Sequence, residues 1–328
     1  MSPKHWLLGP TYSHVHRLLE CKGSLDPREA KDVVFHALYS DRPGVLRNLA
    51  AAVYYWRARL KYRGHRARAI AAHYDLPPAF YNLFTDSWYG AYSCGLFDEA
   101  SSTLEGAQQR KFQRLVEKLE VKRGQRILEI GCGWGSFLKY ASDVGLDAEG
   151  IALSREQVTE CRRRGFKARY ADAADDLPSP VDRVITIGMM EHAKNQRGPI
   201  LRNCFRALPS GGHMVVEEMS SSSETVHLPA IAFAAEEYLP GDRLASYTSI
   251  MQAARRAGFR VAHVECLGWH YRTTILEWSR RLAERFEQAE ALVGYRTAMM
   301  HLLCQLGFAW HFEVGAIDLV HYVLVKPD

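Results

Sequence analysis

Several things are missing from this 328-residue chain, and each absence narrows what it can be. No Cys-x-x-Cys pair occurs. The seven cysteines are scattered at positions 21, 94, 132, 161, 204, 266 and 304. Neither a zinc site nor a disulfide framework is therefore expected, no metal ligands are assigned, and a reducing compartment fits best. No apolar run approaches the roughly 18–20 residues that span a bilayer. Met1–Pro10 has no long apolar core, so no signal peptide is expected and a cytoplasmic location follows. Internal repeats and low-complexity tracts are absent. Charge of one sign does not dominate: 42 Lys and Arg face 37 Asp and Glu. Nearly half of the residues are apolar, the mix of a soluble globular protein long enough for one large core or two smaller ones.

What basic excess there is lies in one place. Between Asp41 and Ile70 there are eight Arg or Lys and one acid, and "YYWRARLKYRGHRARA" interleaves them with Tyr54, Tyr55, Trp56 and Tyr62. Such a segment reads either as a solvated helix face or as an interfacial helix. In the second reading its cations meet anionic headgroups and its aromatics the acyl boundary, at the inner surface of the membrane. No nucleic-acid module follows, so no nucleic-acid partner is expected. A homodimer is left open.

Residues 1–70 read as a helical segment without a chemical motif, and 71–328 as the domain that carries the chemistry. "STLEGAQQRKFQRLVEKLE" is an amphipathic helix beginning near Ser102. From 123 the pattern becomes strand, helix, strand: "QRILEIG", "GSFLKYASDVG", "LDAEGIAL", "SREQVTECRRRG", "FKARYADA", "VDRVITIGMM", "RGPILRNCFRALPSGG" and "HMVVEEM". That alternation predicts a parallel sheet with helices on both faces, its core at 123–220. A helical insertion at about 222–310 interrupts it, and "RVAHVECLG" and "AIDLVHYVLVKP" supply the last strands.

The most informative stretch is "ILEIGCGWG", a glycine turn at the end of the first strand and the head of the first helix. In an open α/β sheet that is where a ligand binds, and glycines there permit a tight turn and close approach of the backbone. The spacing is not the GxGxxG of a dinucleotide site. Glu129, Gly131, Gly133 and Gly135 form ExGxGxG, the turn that cradles S-adenosylmethionine (SAM) in class I methyltransferases. The second strand ends without the acid that usually binds the ribose, leaving Ser154 and Gln157 as polar candidates. Asp172, after the third strand, is placed near the adenine.

"HYDLPPAFYNLF", "YSCGLF", "STLEGAQ", "ILEIGCGWG", "ALSREQ", "IGMMEH", "YLPGDRLAS" and "HYRTTILEW" follow in order the pattern of the cyclopropane fatty acid synthases, which this chain resembles over roughly residues 71–328. "YDLPPAF", "EHAKN", "YRTAMM" and "VHYVLVK" are also similar to the coclaurine N-methyltransferase branch of that family. The resemblance implies a Rossmann-like class I methyltransferase fold with a mostly parallel seven-stranded sheet. It implies SAM as methyl donor, with Tyr74 and Ser93 covering it. The substrate is then the double bond of an unsaturated acyl chain in a membrane phospholipid, giving a cyclopropane or a methyl or methylene branch, or else a small apolar amine; a non-catalytic SAM- or lipid-binding module is the remaining alternative.

The chemistry constrains both. An alkene that attacks the sulfonium methyl becomes a carbocation that must lose a proton, so the pocket needs a base and no competing water. In the family that base is a bound bicarbonate, and its holders match Cys94, Glu191 and Tyr271, with His192 orienting Glu191 and a backbone amide near Met219 in reach. The family's ligand histidine falls at Glu217, a departure that sets bicarbonate against a resident carboxylate. Glu217 is expected close to Glu191, where two carboxylates in a dry pocket raise the pKa of one of them. Trp88, Tyr89, Phe233 and Trp278 are candidates for an apolar channel, though ordinary packing explains any single one of them.

Overall fold

The computed structural model describes residues 18–19, 22–23, 25–40, 76–98, 103–175, 177, 181–221 and 244–328. The basic segment at 54–68, Tyr74 and Phe233 lie outside these residues. The chain divides into two compact units. One comprises 86–222, 243–271 and 318–328, and the other 1–85, 223–242 and 272–317.

The first unit carries the sheet. Its strands are β1 (Arg126–Ile130), β2 (Asp147–Ala152), β3 (Lys167–Tyr170), β4 (Arg183–Ile187), β5 (His213–Ser221), the two-residue β6 (Ala245–Ser246), β7 (Arg260–Cys266) and β8 (Ile317–Val325). Their order is β3-β2-β1-β4-β5-β8-β7, with β6 added to β5. The pairs β1–β2, β2–β3, β1–β4 and β4–β5 are parallel, and β7–β8 is antiparallel. Seven strands thus form the expected sheet, and the eighth is a short addition. The order reverses between β1 and β4, and a crevice forms outside the carboxyl ends of the strands at such a switch point.

Helices α1 (Leu104–Leu119), α2 (Ser136–Asp143), α3 (Arg155–Arg163), α4 (Arg197–Ala207) and α5 (Tyr247–Arg256) cover this sheet. Thr103 caps α1 by accepting from Gly106 N, and Leu104, Ala107, Phe112, Leu115 and Leu119 turn one buried stripe toward the strands. On that face Phe112, Leu115, Phe137 and Tyr140 pack with Ile127, Ile185, Val215 and Val323. On the opposite face Ile200, Leu201, Cys204 and Ile250 pack with Leu128, Val184, Met214, Val216 and Tyr322. Successive residues of a strand point to opposite faces, so this partition also decides where the polar residues of β5 and β8 go.

The second unit is helical in its described residues: Ala30–Ser40, Pro78–Tyr81, most of Gly268–Glu284, Phe286–Val293 and Tyr295–Glu313. Phe80 meets Phe84 and the buried His301 edge-on, and Phe84 meets Trp278. No helix among the described residues is long and apolar enough to cross a membrane.

Candidate active site

The glycine turn stands where the sequence puts it. β1 ends at Ile130. Gly131 N and Cys132 N both donate to Ile151 O of β2, at 2.8 and 3.1 Å. Gly131, Gly133 and Gly135 have φ of +77°, +52° and +84°, a region that disfavours side chains. Each glycine has its own reason. A Cβ on Gly131 would stand 2.5 Å from Met189 Cγ, and one on Gly135 would stand 3.0 Å from Cys161 Sγ. A Cβ on Gly133 would meet nothing within 4 Å. The first and last glycines are therefore required by the protein's own packing, whereas Gly133 faces open space of the kind a bound cofactor fills. Contact with Met189 sets the turn beside the loop after β4, at the switch point. A fourth glycine, Gly150 of β2, was not legible as part of the site. A Cβ there would come within 2.5 Å of Cys132 Cβ, so Gly150 makes room for the turn.

Glu129 is buried, and Oε2 has no hydrogen-bond partner. Burial pushes its pKa up to about 8, Cys161 adds to the rise, and Lys111 opposes it. The open space above Gly133 and this orphaned oxygen fit a polar cofactor. The other cofactor candidates have local duties as well. Ser154 caps α3, accepting from Gln157 N at 3.2 Å. Asp172 Oδ1 accepts from Ala174 N at 2.9 Å, shaping the turn after β3. Ser93 is held from α1: its hydroxyl accepts from Lys111 Nζ and its carbonyl from Gln108 Nε2, each at 2.7 Å. Lys111 and Gln108 were missed in the sequence. Their signal was there, since both sit on the buried stripe of an amphipathic helix where apolar residues belong.

Cys94, the residue after Ser93, is fully buried and donates to Gly95 O at 3.2 Å. Asp86 braces the start of the same segment by accepting from Trp88 N, Tyr89 N and Ala91 N. Tyr89 packs edge-on against Phe112 and Tyr140, whereas Trp88 is exposed. Tyr271 is half-buried on the first turn of Gly268–Glu284, and the neighbouring His270 accepts through Nδ1 from Phe97 N at 3.1 Å, tying that turn to the segment after Cys94.

Glu191 and His192 are buried in a 3₁₀ turn, Met190–His192, just after β4. A carboxylate that shares their surroundings is Glu218, which was not singled out in the sequence. Arg197 Nη2 lies 3.3 Å from Glu218 Oε2 and also donates to Met190 O at 2.9 Å. Burial pushes the Glu218 pKa up to about 8; Arg197 opposes the rise and Glu191 adds to it. Glu217, one residue earlier, points to the other face of β5. There Oε2 lies 2.7 Å from His321 Nε2 of β8, and Lys111 shares its surroundings. Glu217 Oε1 is buried without a hydrogen-bond partner. Four carboxylates are therefore buried on or just after these strands: Glu129 on β1, Glu191 after β4, and Glu217 and Glu218 on opposite faces of β5. Among the described residues no group of three or more His, Cys, Asp or Glu is placed to hold a metal ion.

The sequence pattern of the mycolic acid cyclopropane synthetase family matches residues 61–322. A probable fatty acid methyltransferase of Pseudomonas putida is 34% identical over 277 residues, covering 80% of this chain and 70% of that one. The crystal structure of mycolic acid cyclopropane synthase CmaA1 complexed with SAH and CTAB is 28% identical. It superposes with a TM-score of 0.74 over 80% of this chain and 98% of that one. Coclaurine N-methyltransferase bound to N-methylheliamine and SAH, at 18% identity and a TM-score of 0.69, covers 97% of this chain and all of its own; at that identity it shares the fold alone. With the glycine turn, the switch point and these likenesses together, the chain belongs to the mycolic acid cyclopropane synthetase family and is a SAM-dependent methyltransferase.

Proposed function

We propose that the enzyme methylates the double bond of an unsaturated acyl chain of a membrane lipid, with Glu217 as the proton acceptor in place of bicarbonate. The observation that carries this reading is the buried carboxylate of Glu217, fixed through Oε2 and unpartnered at Oε1. SAM supplies an electrophilic methyl on a sulfonium. Gly131, Gly133 and Gly135 would hold it, with Glu129, Ser93, Ser154, Gln157 and Asp172 as polar contacts. The π pair of the alkene would form the new C–C bond as the methyl–sulfur bond breaks, its electron pair passing to the sulfur of the departing S-adenosylhomocysteine, and a carbocation is left on the neighbouring carbon. Glu217 Oε1 takes a proton from the added methyl, and the freed C–H pair closes the cyclopropane. A 1,2-hydride shift that moves the charge to the methyl-bearing carbon, followed by loss of a methyl proton to the same base, gives a methylene branch instead.

The remaining residues prepare that step. Cys94 and Tyr271 would line the reacting centre. Glu191, oriented by His192, would stabilise the cation electrostatically. A site whose buried Lys111 already faces Glu217 has no unopposed positive charge to attract a bicarbonate anion, so turnover should not depend on added bicarbonate. The same surplus of carboxylates favours a second reading, an amine substrate whose ammonium pairs with Glu217.

Radiolabelled methyl transfer from SAM into a total lipid extract, run beside a panel of small apolar amines, separates the two. Label in lipid supports the proposal, and label only in amines replaces it with the second reading. Glu217→Gln should lose at least about a hundredfold in turnover with SAM affinity unchanged. A nearly fully active Glu217→Gln enzyme, or wild-type turnover that requires bicarbonate, removes Glu217 from the role of base.

A further inference from the structure

The base has a support that the proposed chemistry does not by itself require. His321 lies on β8, beside β5 in the sheet, and is fully buried. Both of its ring nitrogens are engaged. Nε2 is 2.7 Å from Glu217 Oε2, and Nδ1 is 2.6 Å from Lys118 Nζ of α1. Lys118 in turn pairs with Glu265 of β7, whose other oxygen lies 3.5 Å from Arg114 Nη2. An ammonium has donors only, so Nδ1 must accept from Lys118, which places the ring hydrogen on Nε2, where it donates to Glu217. Burial lowers the His321 pKa while Glu217 raises it, and a neutral ring carrying a single hydrogen is what this arrangement uses.

A stabilising role alone does not explain the arrangement. Well-packed apolar residues on β5 and β8 would hold the sheet at least as well as a buried polar chain. Ending that chain on an unpartnered buried oxygen is costly, since such a group has given up water for nothing. The cost is accounted for if Glu217 Oε1 is kept for a ligand. The polar groups facing His321 are Glu217 from β5, Lys118 from α1, Glu265 from β7 and His270 at the start of Gly268–Glu284. Lys111 of α1 acts on Glu217 directly.

We propose that His321, its tautomer set by Lys118, is the positioning residue that fixes the Glu217 carboxylate with Oε1 directed to the substrate. This inference rests on the reading of Glu217 as proton acceptor. Removing the Nε2 donor takes away a hydrogen bond to the charged carboxylate and makes its ionised form harder to keep. The acid limb of the turnover profile should then move to higher pH.

The test measures kcat, SAM affinity and the pH profile of His321→Leu, His321→Gln and Lys118→Met, with Glu217→Gln in parallel. His321→Leu should lose about tenfold or more in kcat, a share of what a general base contributes. Its SAM affinity should be unchanged and its acid limb shifted upward. His321→Gln retains an N–H donor and should recover most of the loss. Lys118→Met frees the tautomer and should shift the limb by less. A folded His321→Leu with wild-type kcat and limb, beside an inactive Glu217→Gln, overturns this inference and leaves the base in place. An active Glu217→Gln overturns the base itself. If His321→Leu does not fold, an unmoved limb in Lys118→Met overturns the inference.

Discussion

Lys111 Nζ lies 2.7 Å from Ser93 Oγ, and the lysine is fully buried. Burial pushes its pKa down, while Glu217, Cys94, Asp86 and Glu129 push it back up. A buried ammonium survives only in such company. It answers two needs at once: it offsets the carboxylates of the site, and it holds the segment that carries Cys94.

Lys111→Met should therefore destabilise the protein by about 3–5 kcal/mol, the range for stripping a partner from buried charges. The loss should shrink as pH is lowered and the exposed deficit is met by protons on the carboxylates. Denaturant unfolding at two pH values checks this, and a loss that is small or independent of pH counts against the electrostatic role.

Gly133→Val should abolish SAM binding while the protein stays folded. A Cβ there meets no protein atom within 4 Å, so the side chain extends into the space the cofactor needs. Gly131→Val, by contrast, drives a side chain onto Met189 and should unfold or aggregate. Calorimetry and thermal melts of both variants separate these outcomes, and wild-type SAM affinity in Gly133→Val removes the cofactor assignment at this turn.

Glu218→Gln should change how stability depends on pH. The Glu218 pKa is raised by burial from 4.5 to about 8, so the native state binds this proton more tightly than the unfolded chain. Its contribution is favourable below the unfolded value and becomes a growing penalty as pH rises from about 4.5 toward about 8. The neutral amide carries no such penalty. The Tm of Glu218→Gln should rise relative to wild type across that window, and parallel Tm curves would show that Glu218 ionises normally.

The basic segment lies outside the described residues and is tested on sequence grounds alone. Each cation near an anionic surface contributes about 1 kcal/mol, less in salt. Reversing Arg57, Arg59, Lys61 and Arg63 to Glu should release the protein from anionic vesicles in flotation. Wild-type protein that ignores such vesicles at low salt ends the peripheral-membrane reading.

Local pattern was enough for the scaffold. The ExGxGxG turn follows an apolar run and opens a helix, and a glycine's backbone freedom is a property of the residue itself, so Gly131, Gly133 and Gly135 could be placed from the sequence. The strand and helix alternation from Arg126 onward was legible for the same reason, because periodicity is local. The sequence also showed that a carboxylate stands where the family has a histidine, which raised the question of the base.

What only the tertiary structure decided is who faces whom. Glu217 and Glu218 are adjacent and chemically alike, and both are buried, so no pattern of burial tells them apart. The pleat of β5 sends one toward α1 and the other toward α4. His321 reads as one polar residue in an apolar strand, 104 positions from Glu217, and becomes its partner because β8 lies beside β5 in the sheet. Lys118 reads as an ordinary helical lysine until β8 and β7 are laid against it. Sequence sets which groups a chain carries and the period on which they point. Pairing between distant strands sets which of those groups share a space that water does not enter, and that shared space determines their charge and their chemistry.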